Sequence, residues 1–309
     1  VELSLTEVGG QQGGISQADI VCSAARAFER DRYLSSLLAP SDERDDLLAL
    51  AAFAGEIARI PGDVSQPLIG EIRLQWWRDA LDAAVGAGAE ATGNPIADAV
   101  SAALRRKNVP IELVHRVLDA QVLRLDDRPF GDLDALAAHL AAYDGGLFEM
   151  AWRLLGGRGT PPALLAEAGV VYGLARCLIE APAELAQGRI VLPWRLLEAQ
   201  GLAQGLSHGL SHGLAVDPAA DLVGSEEARA AWRSIQIDVA VAIEARLKLL
   251  ARRFQEADRL VRLAVLPIAL VRPYLKASKT GEIAALQALD IAPLTRVWRI
   301  WRASRTGRI

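Results

Sequence analysis

Leucine- and alanine-rich helical patterns follow one another along almost the whole chain, divided by proline and glycine into segments of helical length. No long run shows the apolar–polar alternation of a half-buried strand. Hydrophobic residues make up 51% of the sequence and aromatic residues only 5%. The core must therefore be built from Leu, Ala, Val and Ile, of which Leu and Ala are strong helix formers. The pattern predicts an all-α chain. Its 309 residues are ample for a substantial core in one large helical domain or two smaller ones.

Taken in order, a first helix is expected from a Ser16 or Asp19 cap to Pro40, and a second from a Ser41 cap with Leu47, Leu48, Leu50, Ala51 and Phe53 inward. Pro61-Gly62 predicts a break, and Pro67 opens the next helix. A loop at 86–95, a helix at 96–107 and a helix from Pro110 towards Pro129 follow. Residues 132–155 are helical with an interruption at Tyr143-Asp144-Gly145-Gly146, where the glycines suggest a kink or a close backbone approach. Pro161-Pro162 starts a helix that Pro182 should kink or end. GRIVLP (188–193) reads as an extended connector, and 201–214 as a flexible repeat loop holding His208 and His212. The longest helix is expected at 225–255, with further helix to Pro273.

Two stretches concentrate unusual residues. EIRLQWWRDAL (71–81) carries Arg73, Trp76, Trp77 and Arg78 within six residues. Leu74, Trp77 and Leu81 share one helix face, which predicts a core stripe with Arg73 and Arg78 snorkelling at its margin. The sharper expectation is a cavity lined by indole rings with cations at its mouth. The second stretch, TRVWRIWRASRTGRI, places Arg296, Arg299, Arg302, Arg305 and Arg308 three residues apart around Trp298 and Trp301, with no acid after Asp290. Such a tail either pairs with acidic neighbours and the helix C-terminus or contacts anionic lipid or a partner through Arg296, Trp298, Arg299, Trp301 and Arg302.

The net charge of −4 argues against a general nucleic-acid-binding surface. Cys22 and Cys177 form no disulfide framework or paired-thiol metal motif, which suits a reducing compartment. VELSLTEVGGQQGG is acidic and Gly-rich, unlike a signal or transit peptide, so residues 1–18 are expected to be a loose lead-in. No uncharged apolar run approaches the roughly 20 residues that span a bilayer. A cytoplasmic protein, peripheral at the inner membrane, is the expectation.

Four blocks, DRYLSSLLAPSDERDDLLALAAF (31–53), EIRLQWWRDAL (71–81), DDRPFGDLDALAAHLAAYDGG (126–146) and GRIVLP (188–193), together resemble the squalene/phytoene synthase family. The resemblance implies a single isoprenoid-synthase-like helical domain around a central cavity, over residues 19–309. In active members two aspartate-rich motifs hold Mg²⁺ against the pyrophosphates of two prenyl diphosphates. Here the first motif's Arg and two Asp positions fall on Gly55, Ala58 and Gly62, with Glu56 and Asp63 out of register. The second motif's positions fall on Gly173, Arg176, Glu180 and Glu184, with Arg176 one turn before Glu180 and Pro182 between the glutamates.

This departure resembles an atypical branch of the family tied to assembly of respiratory complex I. It implies a non-catalytic role with complex I subunits or assembly intermediates as partners, no required cofactor, and an isoprenoid or other apolar ligand. Tyr33, Phe53, Arg73, Trp76, Trp77, Arg78, Tyr172 and Arg189 are the expected cavity residues. The alternative is a Mg²⁺-dependent transferase condensing two prenyl diphosphates head to head, with Glu180 and Glu184 as metal ligands and Arg73, Arg78 or Arg189 on pyrophosphate. A helical interaction scaffold with its cavity filled by side chains is the third.

Overall fold

The computed structural model describes residues 16–85, 91–126, 128–203, 225–280 and 287–309. Among them every regular element is helical. The chain opens on a capping box: Ser16 Oγ accepts from the Asp19 N–H while the Asp19 carboxylate accepts from Ser16 N–H. The expected first helix is divided. α1 (Gln17–Phe28) stops at Glu29, whose φ of −132° and ψ of 59° are not helical, and α2 (Arg30–Ser36) turns inward from there. α3 (Ser41–Asp63) begins with Pro40 rather than Ser41 at the cap.

The expected break at Pro61-Gly62 does not occur, and α3 runs through both residues to Asp63. A proline frees the carbonyl four residues earlier, here that of Ile57. Gln121 Nε2 donates to that carbonyl at 2.9 Å in the buried interior, so the helix continues without an unpaired group. α4 (Pro67–Val85) then buries Leu74, Trp77 and Leu81 as the spacing predicted, and α5 (Pro95–Lys107) is capped by the Asn94 side chain. α6 (Ile111–Val122) ends well short of Pro129.

The centre of the molecule is a pair of long helices, α7 (Leu133–Leu154) and α8 (Ala163–Ala186). The four residues 143–146 do not interrupt α7, and of the two outcomes the glycines suggested, close approach is the one realised. A Cβ on Gly169 would lie 2.1 Å from Gly145 N, so backbone meets backbone where α8 crosses α7. α8 likewise passes through Pro182, beside which the carbonyl of Ile179 accepts from Leu289 N–H at 2.8 Å. The remaining elements are α9 (Trp194–Ala199), the long α10 (Glu226–Glu256), α11 (Arg259–Ala264), a 3₁₀ turn at Leu266–Leu270, α12 (Val271–Thr280) and α13 (Pro293–Thr306). α12 carries the chain past Pro273, where helix was expected to end. Most of the lead-in and most of the histidine-bearing repeat, including His208 and His212, lie outside the described residues.

Candidate functional site

A cavity open at one side lies between α3, α7, α8 and the segment around Arg124–Phe130. Ala58 lines it from α3; His139, Leu140, Tyr143 and Asp144 from α7; Gly173, Arg176, Cys177, Glu180 and Glu184 from α8. Arg124, Asp126, Arg128, Arg189 and Ile190 close its mouth. Its polar lining is a set of paired charges. Arg176 contacts Glu180 at 2.8 Å and also reaches the buried Glu29 at 2.7 Å. Arg189 Nε donates to Glu184 at 2.8 Å, Arg124 approaches the same carboxylate at 3.6 Å, and Arg128 pairs with Asp126 at 2.6 Å. Beneath them, Arg32 donates to Asp144 at 2.7 Å and stacks over the Phe148 ring.

Burial sets the protonation states, and the neighbouring charges modify them. Burial pushes the Asp144 carboxyl up to about 6, against the opposing pull of Arg32 and Arg176. His139 is lowered to about 4, by burial first and then by the Arg124 cation, so its ring is neutral at pH 7. Burial also pushes the Cys177 thiol up to about 12, which keeps it protonated.

Of the residues expected at the cavity, Arg189, Glu180 and Glu184 line it. The others are placed elsewhere. Trp77 is buried against Phe53 with ring centres 5.2 Å apart, both in the apolar core, and Trp76 faces outward on α4 with Arg73. α4 turns one stripe into the core, and that stripe takes only one of the two adjacent indoles. Arg78 pairs with Asp119 on the neighbouring α6, and Tyr33 is half-buried beside Cys22. Tyr172 sits below the cavity, where its hydroxyl donates to Asp31 at 2.9 Å. Arg176 and Glu180, one turn apart in the sequence, form an ion pair that lines the cavity.

Asp31, Arg32, Glu29 and Asp144 were not singled out from the sequence. The one available signal was the lone Asp144 on a face of α7 that otherwise carries Leu, Ala and Phe; Asp31 and Arg32 share their face with Ser35 and Ser36, so no such contrast marks them. Asp31 gathers the hydroxyls of Tyr172 and Tyr274 and lies 2.8 Å from Arg296 Nε. Arg296 is thus an interior residue, 5% exposed, and leaves the set of tail residues open to lipid or a partner.

A sequence model described as squalene/phytoene synthase matches residues 25–282. The chain belongs to the squalene/phytoene synthase family. The fold agrees: a crystal structure of a squalene synthase from Alicyclobacillus acidocaldarius superposes with a TM-score of 0.65 at 17% identity, over 84% of this chain and 92% of that one. A dehydrosqualene synthase solved with ligand gives 0.66 at 14% identity, over 94% and 95%. Curated relatives carry another name. Proteins of Bos taurus and Homo sapiens called "NADH dehydrogenase (ubiquinone) complex I, assembly factor 6" are 27% and 24% identical, over 62% and 58% of this chain. The matched stretches span 57% and 53% of those relatives, so the likeness covers just over half of their length.

Family members with prenyl-transfer activity need carboxylates free to hold Mg²⁺, and the donor set here does not fit that ion. The positions that the resemblance assigns to the first motif, Gly55, Ala58 and Gly62, offer no oxygen side chain. At Gly62 a Cβ would come within 3.2 Å of Arg189 Nη2, so a guanidinium borders the space that a carboxylate at this position would enter. Glu180 and Glu184 already neutralise arginines, and among the described residues no cluster of three or more His, Cys, Asp or Glu side chains could hold a metal. The space left between the side chains is about 80 Å³, room for a few waters, against roughly 300–1,000 Å³ for typical small-molecule sites.

Proposed function

We propose that this chain is a synthase-fold protein without prenyl-transfer activity that acts in the assembly of respiratory complex I, with complex I subunits or assembly intermediates as its partners at the inner membrane. The observation that carries the reading is the pairing of every second-motif carboxylate with arginine: Glu180 with Arg176, Glu184 with Arg189 and Arg124. Ionising an allylic diphosphate leaves a pyrophosphate whose charge must be absorbed, which carboxylate-held Mg²⁺ does in this chemistry. Arginines that already occupy the carboxylates remove that means. The names of the curated relatives support the cellular role.

The test has two arms. Purified protein is incubated with farnesyl and geranylgeranyl diphosphate, with and without Mg²⁺, and the organic extract is analysed by mass spectrometry. No hydrocarbon product is expected. Deletion of the gene in the organism that carries it is expected to lower assembled complex I on native gels. A Mg²⁺-dependent product that Glu180→Ala abolishes would overturn the non-catalytic reading, and normal complex I in the deletion would overturn the assembly role.

A further inference from the structure

The outward face of α13 is apolar in a register that nothing in the described structure covers. Leu294, Val297, Trp298 and Trp301 follow at i, i+3, i+4 and i+7, one face of a helix, and are 83%, 48%, 56% and 44% exposed. The opposite face holds Arg296, Ile300 and Ala303 against the body of the protein. The two outward indoles stack with centroids 5.0 Å apart and planes 29° from parallel, forming one broad aromatic surface.

Cations border this stripe along one flank and at its C-terminal end. At about 100° per residue, Arg302 flanks Trp298, Arg305 continues the stripe one turn beyond Trp301, and Arg299 lies farther round the same flank. α13 contains no acidic residue. Among the described residues Arg299, Arg302, Arg305 and Arg308 make no ion pair, whereas Arg296 makes two. Arg262 packs against Gly307 where the helix ends, and adds to the cationic edge.

A second exposed stripe, Leu68, Ile72 and Trp76 on α4, sharpens the contrast. It is bordered by Glu71 and Asp79 as well as Arg73, so its surroundings carry no single sign of charge. Among the described residues only α13 combines an apolar arc, exposed tryptophans and a flank whose charges are all cationic. Those are the features of a helix lying in a membrane interface, with its apolar face among acyl chains and its arginines at anionic headgroups. A fluid anionic layer satisfies all four unpaired arginines together, and Trp favours that boundary.

We propose that α13 docks this protein onto an anionic lipid bilayer through Leu294, Val297, Trp298 and Trp301, with Arg299, Arg302, Arg305 and Arg308 on the headgroups. The docked helix lies in the plane of the surface; among the described residues no helix is long and apolar enough to cross the bilayer.

The test is co-sedimentation of the full chain with vesicles of phosphatidylcholine alone or mixed with phosphatidylglycerol, over a range of salt. The wild type is expected to bind only the mixed vesicles, and progressively less as salt rises. A Trp298→Ser/Trp301→Ser variant should bind at least about tenfold more weakly. In Arg302→Glu/Arg305→Glu each lost cation alone should cost about fivefold, and repulsion adds to that. Ile72→Ser, on α4, should bind as the wild type does. All the substituted side chains are exposed or at the margin, and thermal unfolding checks that each variant is folded. Absence of binding to phosphatidylglycerol vesicles, or equal binding by the tryptophan variant, would overturn the proposal. So would a wild-type dimer in light scattering that the tryptophan variant converts to monomer without changing vesicle binding, which would assign the face to a second copy of the chain.

Discussion

Arg296 and Arg299 are one turn apart in the same basic helix, and burial gives them different roles. Arginines three residues apart step back around a helix by about 60° each, so such a series spirals from the inward face to the outward one. Arg296 falls on the inward face, where it meets Asp31 and the Tyr274 hydroxyl. Removing one member of a buried pair leaves an uncompensated charge. Arg296→Met is therefore expected to cost about 3 kcal/mol in urea denaturation, and Arg299→Met less than about 0.5 kcal/mol. His139 supplies a pH signature. Its folded value of about 4 lies below the ordinary 6.5, so the neutral ring contributes fully above pH 6.5, and that contribution declines as pH falls towards 4. Asp144 acts in the opposite sense: raised from 3.8 to about 6, its uncharged form stabilises at low pH, and that contribution is lost as pH rises through 6. In His139→Gln, the drop in urea midpoint between pH 7 and pH 5 should be smaller than in the wild type.

At the scale of elements, two helices pass through prolines that were expected to end or bend them. For α3 the reason is a partner from a distant part of the chain, since Gln121 on α6 takes the carbonyl that Pro61 frees. This coupling is measurable. Gln121→Leu leaves the Ile57 carbonyl buried and unpaired, at a cost of about 1–3 kcal/mol. In a Pro61→Ala background residue 61 regains its own N–H, so the same substitution should cost less. A double-mutant cycle by urea denaturation should show the difference, and additive costs would refute the account. The α7–α8 contact follows similar logic. Gly145 and Gly169 are costly for isolated helices, but their missing side chains let the two backbones touch. α7 continues without a break through residues 143–146, where that contact lies.

Across the whole molecule, charge decides what the cavity can do. The family architecture is retained from α1 to α12, while the carboxylates facing the cavity are neutralised by arginines from α8 itself and from the segments that follow α6 and α8. A ligand bound at a hundred times its dissociation constant would stabilise the fold by about 2.7 kcal/mol. Millimolar Mg²⁺ is accordingly expected to leave the melting temperature unchanged, as read by calorimetry. An upward shift that Glu184→Gln removes would identify a metal site the ion pairs do not forecast.

Helical periodicity, proline at helix starts and the Ser16–Asp19 cap are local properties, and the sequence alone determined them: the all-α class, most helix starts and the Leu74–Trp77–Leu81 stripe. Gly55, Ala58, Gly62, Gly173, Arg176, Glu180 and Glu184 could be assigned to motif positions only through the family resemblance. Only the tertiary structure decided which side chains meet. Trp76 faces solvent while Trp77 enters the core, a difference of one residue on a helix whose orientation its neighbours set. Asp31 meets Tyr274 and Arg296, each more than two hundred positions away from it in sequence. Long-range pairing of buried charges leaves no periodic trace in a sequence, because each partner is chosen by the space the packed helices leave for it.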